Sequence, residues 1–283
     1  MNLGTIPAQQ QLAALADLPD DHIDLCAAAL TISRLFQGDV EPASGADRLD
    51  LLAAAARARM PEDPDLLRRV SALNEFLFEE LGFAGNQDDF YDPRNSFLDQ
   101  VLERRLGIPI SLALVYCELA ERLDMPAFGV SFPAHFLVRV GRGATALMLD
   151  VYAGGVALPE EELDRRLADV YGEGAITIRS HPALLRPAGK REILVRMLRN
   201  LIGVYRARGD EANLLEALTA ALNLAPDLPD ELHQRGLLYR ELGYAPAALS
   251  DLRRFLEVAE DAEQIASVSS VIDELAEAPM KLH

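Results

Sequence analysis

Apolar residues recur at steps of three and four through most of the first 83 positions, the spacing of helices that bury one face. Ile23, Cys26, Ala27, Leu30 and Leu35 form one such stripe, with Asp20 or Asp21 as its cap and Gly38 as its break. Leu49, Leu52, Ala53 and Ala56 form a second, started by Ser44 or Asp47 and ended near Pro61. A third begins around Pro64 and carries Leu66, Leu67, Val70, Leu73, Phe76 and Leu77, with Gly82 closing it. No chemical motif falls in this stretch, which therefore reads as a helical packing layer.

The polar run GNQDDFYDPRNS, residues 85–96, interrupts that pattern as a loop. Its Asp88, Asp89 and Asp92 lack EF-hand spacing and the terminal Glu, so a solvated loop is expected rather than a calcium site. Asn95 or Ser96 is placed to cap a helix over 97–106, Gly107 ends it, and Pro109 suits the first turn of the next. This next helix is strongly apolar, with a stripe of Ile110, Ala113, Leu114, Cys117, Ala120 and Leu123. The period then switches to two. Residues 127–132, 135–140 and 146–152 predict three strands, the last two joined by a turn at 141–143, in a small antiparallel sheet against that helix. Helical spacing returns at 159–171, with Glu160, Glu161 and Glu162 where the helix dipole favours them. Residues 176–178 predict a short strand and 182–190 a linker.

A repeat begins near Lys190. A shift of 34 positions superposes Tyr205 on Tyr239, Gly209 on Gly243, Leu198 on Leu232 and Leu218 on Leu252. That is the period of tetratricopeptide helix pairs. Two units and a closing helix at 264–276 are expected, with Tyr205, Tyr239, Ala248 and Phe255 inward and Glu216, Asp251 and Glu257 outward. Such a module implies a protein partner.

Composition narrows the classes further. The 283 residues carry a formal net charge of −18, half are apolar, and Trp is absent. So acidic a chain argues against a nucleic-acid binder, which would normally show a basic face. Residues 94–142 are nearly neutral within it, which permits a pocket for an acidic group. Cys26 and Cys117 give neither a disulfide framework nor metal-ligand spacing, so no metal and no cofactor is expected. No leader pattern and no membrane-spanning apolar run is present, and the expected location is the cytoplasm.

Taken together, RLGIPISLALVY, FPAHFLVR, MLDVYAGG and the 34-residue repeat resemble the SirB-type transglutaminase-like family of bacteria. The resemblance implies a predominantly helical α+β fold: a transglutaminase-like (papain-like) core with a small antiparallel sheet, followed by a tetratricopeptide-like helical module. The boundaries it implies are a helical layer over 1–94, the core over 95–181 and the repeats over 188–283. Such cores start a helix with a nucleophilic cysteine, follow it four positions later with a small residue, and end it at a Gly-Ile-Pro-like corner. Counting back from Asp124-Met125-Pro126 places Pro109 at the nucleophile position and Ala113 at the small one. His135 and Asp150 fall at the family's histidine and aspartate.

Two triad members are thus matched and the thiol is replaced by a residue without a nucleophile. The expected function is a non-catalytic or catalytically altered protein that acts by binding. The competing reading is a hydrolase or peptidase that uses His135–Asp150 with Ser111 or an activated water; a purely structural assembly subunit is a third. Ser111 sits about 200° around the helix from Pro109, which favours hydrogen bonding in the first turn over catalysis. Arg104 and Arg105 are expected on a solvated rim. Cys117 lies roughly 12 Å along the helix from Pro109, among apolar neighbours, so its thiol is expected to be buried with a raised pKa.

Overall fold

The computed structural model describes residues 6–38, 42–62 and 65–277. Their contacts divide into two compact units, one of residues 6–8 and 19–197, the other of residues 9–18 and 198–277.

The first unit is built around a helix with almost no exposed face. Its leading helices are α2 (Leu25–Gln37), α3 (Pro42–Arg57) and α4 (Leu66–Asn74), the last continued by a π-helical turn at Glu75–Glu80; α1 (Ala8–Ala13) precedes them in the chain but falls, from Gln9 on, in the second unit. Asp24 caps α2 by accepting from the Ala27 N–H at 2.9 Å, and Asp65 caps α4. Asp20 and Asp21 do not cap α2 as expected. The Asp20 carboxylate instead accepts from the backbone N–H groups of Lys190 and Arg191, at 2.7 and 2.8 Å, 170 residues further on. A cap satisfies whichever orphan N–H groups tertiary structure brings to it. The expected helix start at Pro64 lies outside the described residues.

Two short segments, β1 (Ala84–Gly85) and β2 (Leu106–Gly107), pair in parallel and flank α5 (Leu98–Arg104). Helix α5 ends at Arg105 in the left-handed region (φ 59°), two residues before the expected glycine. Then comes α6 (Pro109–Arg122), with Ile110 through Tyr116, Leu119 and Ala120 all buried. Against it lies a sheet of four antiparallel strands in the order β3 (Ala127–Val130), β4 (Leu137–Val140), β5 (Leu147–Asp150), β6 (Val156–Ala157). Val130 pairs with Leu137, Val140 with Leu147 and Asp150 with Val156. Three strands were legible by alternation; the fourth is two exposed residues, too short to alternate. One sheet face buries Val130, Leu137 and Met148 against Leu163 and Leu167 of α7 (Glu160–Tyr171). Ile176–Ile178 is irregular, with a turn beginning at Ile178, rather than a strand; Ile178 joins that core and Ile176 packs against it. The expected linker contains a 3-10 turn at Pro182–Leu185 before α8 (Lys190–Arg208).

The second unit holds the later part of α8, α9 (Glu211–Leu224), α10 (Pro229–Glu241), α11 (Ala245–Val258) and α12 (Ala262–Glu277). The 34-residue repeat is visible in the backbone. Gly209 and Gly243 both take left-handed φ values, 65° and 80°, and the next N–H closes each helix on the tyrosine carbonyl, Asp210 to Tyr205 and Tyr244 to Tyr239. Tyr205, Ala248 and Phe255 are buried as expected, and Tyr239 is half-buried. Asp251 is not outward. It is 6 % exposed and forms a two-pronged pair with Arg235 at 2.7 and 2.8 Å, which satisfies its charge inside the helix pair.

Candidate functional site

Asp150 closes β5 and is 3 % exposed. His135 reaches it from the turn before β4, two residues short of the strand on which alternation had placed it. Pro133 and the left-handed Ala134 (φ 55°) make that turn, and Arg196 holds the His135 carbonyl. His135 Nε2 lies 2.9 Å from Asp150 Oδ1. The same oxygen accepts from the N–H groups of Tyr152 and Ala153 at 3.1 and 3.2 Å, and Oδ2 lies 2.9 Å from Arg166 of α7. Burial works against the Asp150 charge, but the His135 and Arg166 contacts outweigh it and hold the carboxyl below its ordinary pKa. Arg166 is in turn held by Glu162 at 3.2 Å. The imidazole is thus fixed through Nε2, and Nδ1 has no protein partner among the described residues.

A second polar network surrounds the start of α6. Ser111 is fully buried; its Oγ donates to the Asn95 carbonyl (2.6 Å) and accepts from the Ile108 N–H (3.0 Å). This is the first-turn role expected of it, and it commits the hydroxyl to the backbone. Asn95 does not cap α5. It is fully buried, with its amide donating to the carbonyls of Asp89 and Phe90 and its oxygen accepting from Asn86 (3.0 Å) and Arg104 (3.3 Å). Arg104 is not solvated either. It is one-fifth exposed and pairs with Asp92 at 3.2 Å, and Asp92 is itself buried and bound by Arg94. Burial opposes the Asp92 charge, yet the two arginines leave its pKa lowered. The 85–96 loop is therefore not simply solvated but is internally cross-linked by buried polar groups. Arg105 is exposed and donates to the Leu81 carbonyl. Among the described residues no cluster of acidic, His or Cys side chains could hold a metal ion.

Tyr152 joins the two networks. Its ring stands edge-on to His135 with centroids 6.2 Å apart, and its hydroxyl lies 3.4 Å from the Asn86 carbonyl. A Cβ at position 85 would lie 2.3 Å from that ring, so glycine at 85 is what seats it. Sequence reasoning missed Tyr152, Asn86 and Arg166. Only Tyr152, two positions after the aspartate, carried a local signal.

Cys117 is elsewhere. It lines a cavity of about 960 Å³ with Cys26, Ala113, Leu114, Phe128 and Ile193, and His135 is not part of that lining. The residue is half-buried rather than fully buried, and desolvation pushes its thiol pKa up.

The family profile described as the transglutaminase-like superfamily matches residues 44–199. The chain belongs to this superfamily. A tetratricopeptide-repeat profile matches residues 201–273, which fits the backbone repeat seen at Gly209 and Gly243. Similar proteins with both their length and this chain covered almost completely are bacterial: the UPF0162 protein of Xylella fastidiosa strain Temecula1 is 38 % identical over 95 % of this chain and 96 % of its own. The UPF0162 protein of Pseudomonas aeruginosa is 33 % identical over the same shares. The human F-box only protein 21 is 32 % identical over 62 % of this chain but only 28 % of its own length. This chain therefore joins a transglutaminase-like core to helices of a kind that typically mediates protein interactions. No helix among its described residues is long and apolar enough to cross a membrane.

Proposed function

We propose that this transglutaminase-like protein acts by binding rather than by thiol catalysis, with its tetratricopeptide-like helices recruiting a protein partner to a core whose His–Asp pair is vestigial or altered. The start of α6 carries this reading. Pro109 stands at its first position, and Ser111, the nearby hydroxyl, is spent on the Asn95 carbonyl and the Ile108 N–H. Nothing nucleophilic is thereby offered to His135 from the first turn. Asn95, Arg104 and Arg105 act as supports flanking the site. The working division is 1–94, 95–181 and 188–283, and the working location is the cytoplasm.

The full-length protein, tagged and used for affinity capture from lysate, should retain a defined partner. The double variant Leu242→Ser/Tyr244→Ala, at side chains exposed on the repeat unit, should release it. The same partner set on both proteins would defeat recruitment through that surface.

One observation favours a second reading, hydrolysis with an activated water: His135 Nδ1 is left unpaired while Nε2 is oriented by Asp150. Wild type and His135→Ala should show equal background rates on ester and amide substrates. A rate that depends on His135 would replace the binding reading with the hydrolytic one.

A further inference from the structure

The rim of the His135 pair carries a row of aromatic rings, two of them well exposed. Tyr91 is 62 % exposed and Phe90 44 %, and they contact each other with centroids 5.5 Å apart. Phe90 meets the half-buried Tyr152 at 6.3 Å, and Tyr152 meets His135 at 6.2 Å. Contiguous exposed rings are a cost in water and mark contact surfaces when a rigid scaffold presents them. The scaffold here is rigid. The Asn95 amide grips the carbonyls of Asp89 and Phe90, the Asn86 oxygen takes the Asp89 N–H, and Asp92 anchors the loop to Arg94 and Arg104.

Charge and spacing identify the occupant. Asp88 and Asp89 precede the rings, both exposed, and neither forms an ion pair among the described residues; Asp89 lies within electrostatic reach of Arg94, which is already bound by Asp92. Carboxylates beside ring faces suit a guanidinium, which stacks on aromatics and forks onto carboxylates at once. Alternate side chains of an extended peptide stand roughly 6.5 Å apart on one side, close to the steps between these rings. We infer that Tyr91, Phe90 and Tyr152, with Asp88 and Asp89, form a docking shelf for an extended, arginine-bearing peptide segment that leads toward His135. This inference concerns the core unit alone and stands or falls independently of partner recruitment by the repeats.

The test is fluorescence anisotropy of full-length protein with a fluorescein-labelled peptide, Gly-Leu-Ser-Arg-Ser-Leu-Gly, whose apolar and cationic side chains alternate. Saturable binding is expected, weakened about fivefold or more when arginine is replaced by the isosteric, neutral citrulline. Tyr91→Ala and Phe90→Ala, both at exposed positions, should weaken it to a similar degree with unchanged melting temperature. Asp88→Asn/Asp89→Asn should weaken it about threefold and flatten its salt dependence. Equal affinity for the arginine and citrulline peptides, indifference to Tyr91→Ala, or absence of saturation at millimolar protein would each overturn the assignment.

Discussion

Asp150→Ala is the most direct perturbation of the candidate site, because four donors converge on one buried carboxylate. His135 Nε2 and the N–H groups of Tyr152 and Ala153 meet Oδ1, and Arg166 meets Oδ2. Removing one partner of a buried ion pair costs about 3–5 kcal/mol. Arg166 is one-quarter exposed and keeps Glu162, which places the expected loss at the low end, about 3 kcal/mol. Asp150→Asn is not a mild control. With its oxygen toward the two backbone N–H groups, its amide confronts the Arg166 guanidinium, donor against donor; flipped, it confronts those N–H groups. A loss of about 2–3 kcal/mol follows. In urea, with a slope of about 1–3 kcal/mol per molar, the alanine variant's midpoint should fall by roughly 1–3 M, read by far-ultraviolet circular dichroism and tyrosine fluorescence.

The pH dependence has a definite sign. Burial raises the Asp150 pKa, but the contacts from His135 and Arg166 prevail and leave it lowered in the folded protein. A carboxyl with a depressed folded pKa contributes stability above its unfolded value, about 3.9. That contribution is lost as pH falls through the folded value. The advantage of wild type over Asp150→Ala should therefore be present at pH 5–6 and shrink below about pH 4. Asp92, also lowered, remains in both proteins and cancels in the comparison. An advantage under about 1 kcal/mol at pH 6, or one unchanged on acidification, would refute the reasoning.

Gly236→Val should lower the melting temperature of the repeat unit, because a Cβ there lies 2.7 Å from Leu252 Cδ2; overpacking of this kind costs about 1–3 kcal/mol. Ser111→Ala should destabilise by about 1–3 kcal/mol in urea titration, since it strands the buried Ile108 N–H, and it should leave any hydrolytic background unchanged. Folded protein should react with iodoacetamide at Cys117 far more slowly than denatured protein, by peptide mass mapping, because burial holds its thiol protonated. Fast native alkylation that His135→Ala suppresses would contradict this.

Periodicity made the broad fold legible, and it failed where elements were short or tertiary contacts reassigned a side chain. The stripe Ile110–Leu123 predicted α6 because a helix that is apolar nearly all round has nowhere to go but the core. The repeat was legible because Gly209 and Gly243 are both required by left-handed backbone, so spacing reported geometry. β6, with two exposed residues, offered no alternation, and Ile176–Ile178 imitated a strand because both its isoleucines pack on the core without pairing to the sheet. Asp20, Asp251 and Asp92 were each read from their neighbours in sequence. Asp20 and Asp251 are claimed from 170 and 16 positions away, and Asp92 from 12 positions away as well as by Arg94, and a carboxylate's type says nothing about which distant donor will claim it.

The same limit explains what was and was not legible at the site. His135 and Asp150 stood out because an imidazole and a carboxylate among aliphatic residues need partners, and the pair supplies one for each. The resemblance located them as well. Arg166 and Asn86 carried no such signal, since an arginine on an acidic helix and an asparagine in a polar loop look satisfied by water. Yet they decide the character of the site. Arg166 charges the far oxygen of Asp150, so the aspartate is anchored to α7 rather than dedicated to the histidine. Asn86, through its carbonyl and side chain, ties Tyr152 to Asn95 and from there to Ser111. Asn86, Asn95, Arg104 and Ser111 are thereby engaged in holding the loop and the start of α6 in place. A surface held so firmly, with no nucleophile offered from the first turn of α6, is what supports the proposed reading by recognition over one by nucleophilic attack.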